Sequence, residues 1–275
     1  MNARARPQVA EAAARTAAWP DQESGPHRFD ILGIPVLAAT AAEATHLIDD
    51  ATDVDAHTGV AFLNAHGSNL AARDATFAAA LRGMLVLNDG VGVDIAARVL
   101  FGNRFPENLN GTDFVPAFLR ETRQAHRIFL FGGRPGVAER ARDVLAAASP
   151  RHQFVGVRHG YFAPSEADAV AAEIRAGAAT LLLVALGNPA QELWIARNLE
   201  ATGARLAFGV GALFDFLAGE VSRAPAAIRK ARLEWAWRLA LEPKRLFRRY
   251  VLGNPLFLMR VARERLLGRA GKRPG

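Results

Sequence analysis

The chain has 275 residues, 51% of them hydrophobic and 22% charged, an ordinary balance for a globular protein with a sizeable core. It contains no Cys, which excludes disulfides and thiolate metal sites, and it shows neither a hydrophobic leader nor an unbroken apolar run long enough to cross a membrane. The formal charge is +7, yet Glu220 to Gly275 holds fifteen Lys/Arg against four Asp/Glu, so this stretch carries +11 and everything before it −4. The pI near 10.8 is thus a property of the tail and does not make the body a nucleic-acid binder.

Residues 1–28 are rich in Ala, Arg, Pro and Gln without strand periodicity, which predicts a mostly disordered lead-in with one short helical candidate at AEAAAR. From Phe29 onward short apolar runs alternate with amphipathic stretches. Strands are predicted over Ile31–Val36, Gly59–Leu63, Met84–Leu87, Arg127–Phe131, Gln153–Val157, Thr180–Leu186 and Arg205–Phe208. Between most of them lie stretches such as SNLAARDATFAAALR and VAERARDVLAAA, with apolar residues three and four apart as on a helix. The alternation predicts an α/β domain over 29–219 with a mostly parallel sheet flanked by helices. The segment 220–275 interleaves Trp, Leu, Phe and Met with Arg at near-helical spacing. It predicts a basic amphipathic appendage suited to an anionic surface, its apolar face favouring lipid over nucleic acid. Trp235 and Trp237 fit core packing as well as a membrane-facing position.

Open parallel sheets bind ligands beyond the carboxyl ends of their strands. Here those ends read Asn64-Ala65-His66-Gly67, Asn88-Asp89-Gly90-Val91-Gly92, Gly132-Gly133-Arg134-Pro135-Gly136, Gly187-Asn188-Pro189-Ala190-Gln191-Glu192 and Gly209-Val210-Gly211-Ala212. Asp89, held between a strand and a glycine turn, suits a general base or a partner for a ligand hydroxyl, and equally a helix cap. Asp94 falls inside the next predicted helix, in a solvated or packing position. FLFGGRPGVAERA reads as an anion-cradling turn with Pro135 in the first helical turn, although it matches neither GxGxxG nor the Walker A pattern. Pro189 suits the first helical position, leaving Gln191 and Glu192 at a helix mouth where an amide can grip hydroxyls and a carboxylate meets the dipole. Thr112 or Asp113 is predicted to cap the helix after NLNG. The histidines lack HxH or HExxH spacing, Asp53-Val54-Asp55 precedes a strand instead of following one, and no GxSxG elbow occurs, so metal ligation and a serine nucleophile find no support.

Taken in order, FLNAHGSNLAARD, LNDGVGVDIAARVLFG, NLNGTDF, IFLFGGRPGVAERA, VGVRHGYF, LLLVALGNPAQELWIARN, GVGALFDFLAGEVSRAP and LEWAWRLALEPKRLFRRY resemble the WecG/TagA/CpsF bacterial glycosyltransferases. The resemblance implies a Rossmann-like core with a membrane-contacting C-terminal appendage. It also implies inverting transfer of a sugar from a nucleotide diphosphate donor, UDP in the first instance, to a lipid-diphosphate-linked acceptor of undecaprenyl type. It places the general base on Asp89 and substrate-binding positions on Asn64 and Gln191. Two positions depart from the pattern: Phe62 stands where a Thr is expected, and Asn108 where an Arg is expected, in a segment one residue longer. The NLNGTDF variant resembles members that build exopolysaccharides, which points to a glucose-type donor.

On this reading Asp89 deprotonates the acceptor hydroxyl. Amides around Gly132, Gly133 and Gly211, with tail arginines drawn from Arg223, Arg245, Arg248 and Arg249, meet the leaving diphosphate without a metal or other cofactor. The expected partners are the donor, the acceptor and the cytoplasmic face of the plasma membrane. Nucleic acid is not expected, and homo-oligomerisation is left open. Two competing readings are a basic nucleic-acid-binding α/β protein and a dinucleotide-dependent oxidoreductase. The latter is disfavoured because no strand is followed by GxGxxG with an acidic residue about twenty positions on.

Overall fold

The computed structural model describes residues 27–53, 56–225, 228 and 234–268; the AEAAAR segment, Val54 and Asp55 lie outside them. The first element is a hairpin, β1 (Arg28–Asp30) paired antiparallel with β2 (Pro35–Leu37), where a single strand over Ile31–Val36 was expected. The chain reverses at Leu32–Gly33, with φ of 55° and 87°, and Gly33 N donates to Asp30 Oδ1 at 2.6 Å. Paired positive-φ residues make the tight turn whose twist suits a hairpin. His27 O accepts from Ala38 N, so Arg28 belongs to the body and not to the lead-in.

The main sheet contains β3 (Thr58–Leu63), β4 (Leu85–Asn88), β5 (Arg127–Gly132), β6 (Gln153–Arg158), β7 (Leu181–Ala185) and β8 (Leu206–Gly209). All pairings are parallel, in the order β4-β3-β8-β7-β5-β6. The helices of the body are α1 (Ala41–Asp53), α2 (Ala65–Ala71), α3 (Ala75–Arg82), α4 (Val91–Phe101), α5 (Gly111–Glu121), α6 (Val137–Ala148), α7 (Ala167–Ala176), α8 (Ala190–Thr202) and α9 (Leu213–Leu217). They divide between two faces. Ile48, Phe118, Leu145 and Phe214 join one buried cluster with Leu181 and Leu183 of β7, while Phe77, Leu100, Ile174 and Ile195 join the other with Leu182 and Val184. This period-two split along a strand buried on both sides is what an apolar run such as TLLLVAL requires. The chain leaves β3 for the edge at β4, returns past it to β5 and β6, then fills the interior with β7 and β8. That reversal of direction opens a crevice at the carboxyl edge.

The tail forms α10 (Glu234–Leu241), α11 (Pro243–Phe247), a π-helical turn (Arg248–Leu252) and α12 (Gly253–Leu266). Part of it belongs to the core. Phe257 and Val261, one helical turn apart, are 0% and 1% exposed and sit in the same cluster as Leu63 and Val86. Asn69 on α2 donates from Nδ2 to Gly253 O at 2.7 Å and accepts from Arg260 Nη1 at 2.9 Å. Phe247, Leu252, Met259 and Leu266 instead face outward.

At the amino edge of the sheet the fold closes on a buried polar network. Asp49 of α1 accepts from Thr122 Oγ1 at 2.5 Å and from Arg123 N at 3.0 Å. His126 N donates to His152 Nδ1 at 3.0 Å, and His152 Nε2 meets Leu119 O at 2.6 Å. Asp53, from the one DxD-like pair, bonds Gln124 Nε2 at this same edge, remote from the strand ends that form the crevice.

Candidate active site

All five polar strand ends converge. Asn64 after β3, Asp89 after β4, Gly133 after β5, Gly187 after β7 and Gly211 after β8 line one cavity of about 1100 Å³. A second cavity, about 580 Å³ and walled largely by apolar side chains, opens beside it between α4 and the tail, lined by Ile95, Trp235, Tyr250, Pro255 and Leu258. The two share Asn64, Asp89, Thr112, Phe216, Arg238 and Arg249.

Asp89 is held from several directions. Its N–H donates to Leu63 O at 2.9 Å, its Oδ2 accepts from Asn64 Nδ2 at 3.0 Å, and the following Gly90 N donates to Asn108 Oδ1 at 2.7 Å. Gly90, at φ 89°, is the N-cap of α4 and has no side-chain cap bond, so Asp89 is not that helix's cap. Asn64 divides its amide: Oδ1 caps α2 by accepting from Gly67 N at 3.0 Å, and Nδ2 holds Asp89. Asn108, where the family pattern led us to expect Arg, lines the second cavity and fixes the turn that carries Asp89. Asp94 is buried in α4, a packing position.

Gln191, expected to grip a ligand hydroxyl, lines the larger cavity with its amide engaged by neighbouring groups. It is 2% exposed, its Oε1 accepts from Gly187 N at 3.2 Å and Gly211 N at 3.1 Å, and its Nε2 donates to Glu192. It therefore ties the loops after β7 and β8 together. Pro189, joined to Asn188 by a cis bond, is the N-cap of α8 and not its first residue, and Gly136 likewise caps α6, leaving Pro135 outside that helix. The glycine amides are also engaged. Gly133 N donates to Ala185 O at 3.0 Å and Gly211 N to Gln191, while Gly132 sits in the β5–β7 ladder. A Cβ on Gly132 would lie 2.3 Å from Ala185 O, so glycine there answers to strand packing. Asn110, not Thr112 or Asp113, caps α5, accepting from Asp113 N at 3.0 Å.

The tail arginines sort by position. Arg249 is half-buried in the shared wall, whereas Arg248 is exposed and lines neither cavity, and Arg223, also in neither lining, pairs with Asp113 of the second cavity's wall. The Arg245 side chain lies outside the described residues. Arg238, which sequence reasoning missed, stands in the shared wall with its guanidinium 5.3 Å from the Phe216 ring centroid. The Nε atoms of Arg238 and Arg249 are buried without a partner. Arg249 and burial together push His66, in the second cavity, down to about 4, burial being the larger cause. Burial likewise raises Glu234, aided by Asp113 and Asp89 and opposed by Arg223 and Arg238. Phe62 lines the larger cavity and stacks near Phe208, with its ring 3.0 Å from a Cβ built on Gly111. Among the described residues no three His, Asp or Glu side chains converge as a metal site would require.

A doubly wound α/β sheet with a polar crevice at its carboxyl edge, closed on one side by a basic tail, defines an enzyme of the Rossmann-like class. The chain belongs to the glycosyl transferase WecG/TagA/CpsF family, whose model matches residues 29–271. It is a glycosyltransferase, as the ordered motifs predict. Among the described residues no helix is long and apolar enough to cross a membrane.

Proposed function

We propose that the protein transfers a sugar, with inversion, from a UDP-type donor to a lipid-diphosphate-linked acceptor in cell-surface or exopolysaccharide synthesis. The observation that carries this is the position of Asp89 in the wall shared by a polar and an apolar cavity. The donor occupies the larger cavity at the strand ends, and the acceptor the second one, against the tail. Asp89 takes the proton from the acceptor hydroxyl as that oxygen bonds to the anomeric carbon. The bond from that carbon to the diphosphate breaks on the opposite side, and the electron pair leaves with the nucleotide diphosphate. Asn64 orients the carboxylate through the bond to Oδ2. The leaving phosphates meet Arg238 and Arg249, whose unpartnered Nε atoms support that role, with no metal required of this chain's residues.

The outward residues Phe247, Leu252, Met259 and Leu266, interleaved with Arg248, Arg263 and Arg265, support docking on the cytoplasmic face of the plasma membrane. A panel of UDP-sugars incubated with lipid-diphosphate acceptors, read by mass, tests the reading. We expect one sugar to add to the acceptor with release of UDP; binding of no UDP-sugar and no transfer across the panel would contradict it.

A further inference from the structure

Glu192 is 0% exposed, and the use of its carboxylate is lopsided. Oε1 accepts from Asn188 Nδ2 at 2.5 Å and from Gln191 Nε2 at 2.9 Å. Oε2 is buried with no partner at all. The groups acting on Glu192 are burial, these two amides and its own backbone N–H; none of them is a cation or a second carboxylate. A buried carboxylate without a counterion is costly unless something else requires it.

What surrounds it supplies that requirement. An amide can turn its oxygen and nitrogen either way, and an acceptor beside Nε2 fixes the choice. With Nε2 drawn to Glu192, the Gln191 oxygen points at Gly187 N and Gly211 N, the two loops that line the larger cavity beyond β7 and β8. Gly209 gives the Gln191 amide its room, since a Cβ there would stand 3.0 Å from Nε2. We infer that Glu192 is a positioning residue: its ionised carboxylate orients the Gln191 amide, and that amide clamps the two glycine loops in the form that binds the donor. This rests on the placement of the donor in the larger cavity.

Burial, opposed by the Gln191, backbone and Asn188 bonds, brings Glu192 up to about 7, so the clamp loosens as the pH falls through neutrality. Hydrogen bonds to a carboxylate are roughly twice as strong as those to a neutral group. The sign for stability is opposite. A carboxylate whose pKa is raised in the folded state contributes most at low pH, and that contribution is lost as pH rises through about 7.

The experiment uses the whole protein with selectively labelled glycine, followed by amide nuclear magnetic resonance without ligand from pH 5.5 to 8.5. The Gly187 and Gly211 amides are expected to follow one titration with its midpoint near 7 in the wild type and to show none in Glu192→Gln. With UDP as probe, Glu192→Gln at pH 8 is expected to bind about three- to tenfold more weakly. Its melting temperature at pH 8 should equal or exceed that of the wild type, which a merely structural role would not produce. Flat Gly187 and Gly211 shifts in the wild type would overturn the inference, and that measurement stands even if the variant does not fold. Wild-type protein that shows the glycine titration yet fails to bind UDP would instead count against the placement of the donor.

Discussion

Asp49 and Glu192 are both 0% exposed, one beyond the amino edge of the sheet and the other at its carboxyl edge. Both Asp49 oxygens have donors, and the Arg123 guanidinium stands 3.5 Å from one of them. Glu192 has one oxygen doubly bonded, one unpartnered and no cation. A fully satisfied buried network rigidifies and stabilises, whereas a partly satisfied one is a cost that a fold carries where function needs it. The same sheet therefore has one edge whose buried carboxylate is fully satisfied and one whose buried carboxylate is not, and the second is the edge where we propose the chemistry occurs.

The contrast can be broken most severely at Asp49. Asp49→Ala leaves Thr122 and Arg123 N without their acceptor and should cost about 3–5 kcal/mol in a denaturant titration, while kcat/KM of the folded fraction stays within a factor of about two. Loss of activity without loss of stability would erase the distinction between the edges.

The next largest effect comes from pH. His126 is pushed down to about 4, chiefly by burial and then by His152 and Arg151, against the opposing effect of Asp49. The unfolded chain binds its proton near 6.5, so stability is full above that pH and falls as pH drops from 6.5 toward 4. The loss should be about 3 kcal/mol, and His126→Gln should flatten the curve in that window.

At the carboxyl edge the signature reverses. Arg238→Ala should raise the UDP dissociation constant about tenfold while moving the unfolding free energy by less than about 1 kcal/mol. Smallest of all, Arg248→Ala should leave transfer to a soluble acceptor unchanged and weaken only retention on anionic vesicles, by about 1 kcal/mol.

Much of this organisation was legible in the sequence. The strands of the main sheet fall within a residue or two of their predicted limits, because runs such as LLLVA and VAFL are too short and too apolar for anything but a strand buried on both sides. The placement of Asp89 and Asn64 in the crevice was legible because both follow strands of a parallel sheet at its carboxyl edge. The loop contacts of Gln191 were hidden, because a helix mouth does not reveal whether a first-turn side chain also reaches the loops beneath it. In NLNGTD several residues can cap, and only the helix start at Gly111 selects Asn110. The tail hid Phe257 and Val261, since apolar residues interleaved with arginine look the same whether they face lipid or the body. Arg238 was hidden too, because only the docking of α10 beside Phe216 brings it into the wall between the cavities.

The central claim rests on Asp89, and its most direct test is single-turnover transfer by Asp89→Asn, an isosteric change that keeps a partner for Asn64. Transfer should fall by about 10²- to 10⁴-fold while UDP affinity and melting temperature stay at wild-type values. Turnover near the wild-type rate would contradict the account, because no other carboxylate is placed between the strand-end loops in the shared wall of both cavities among the described residues.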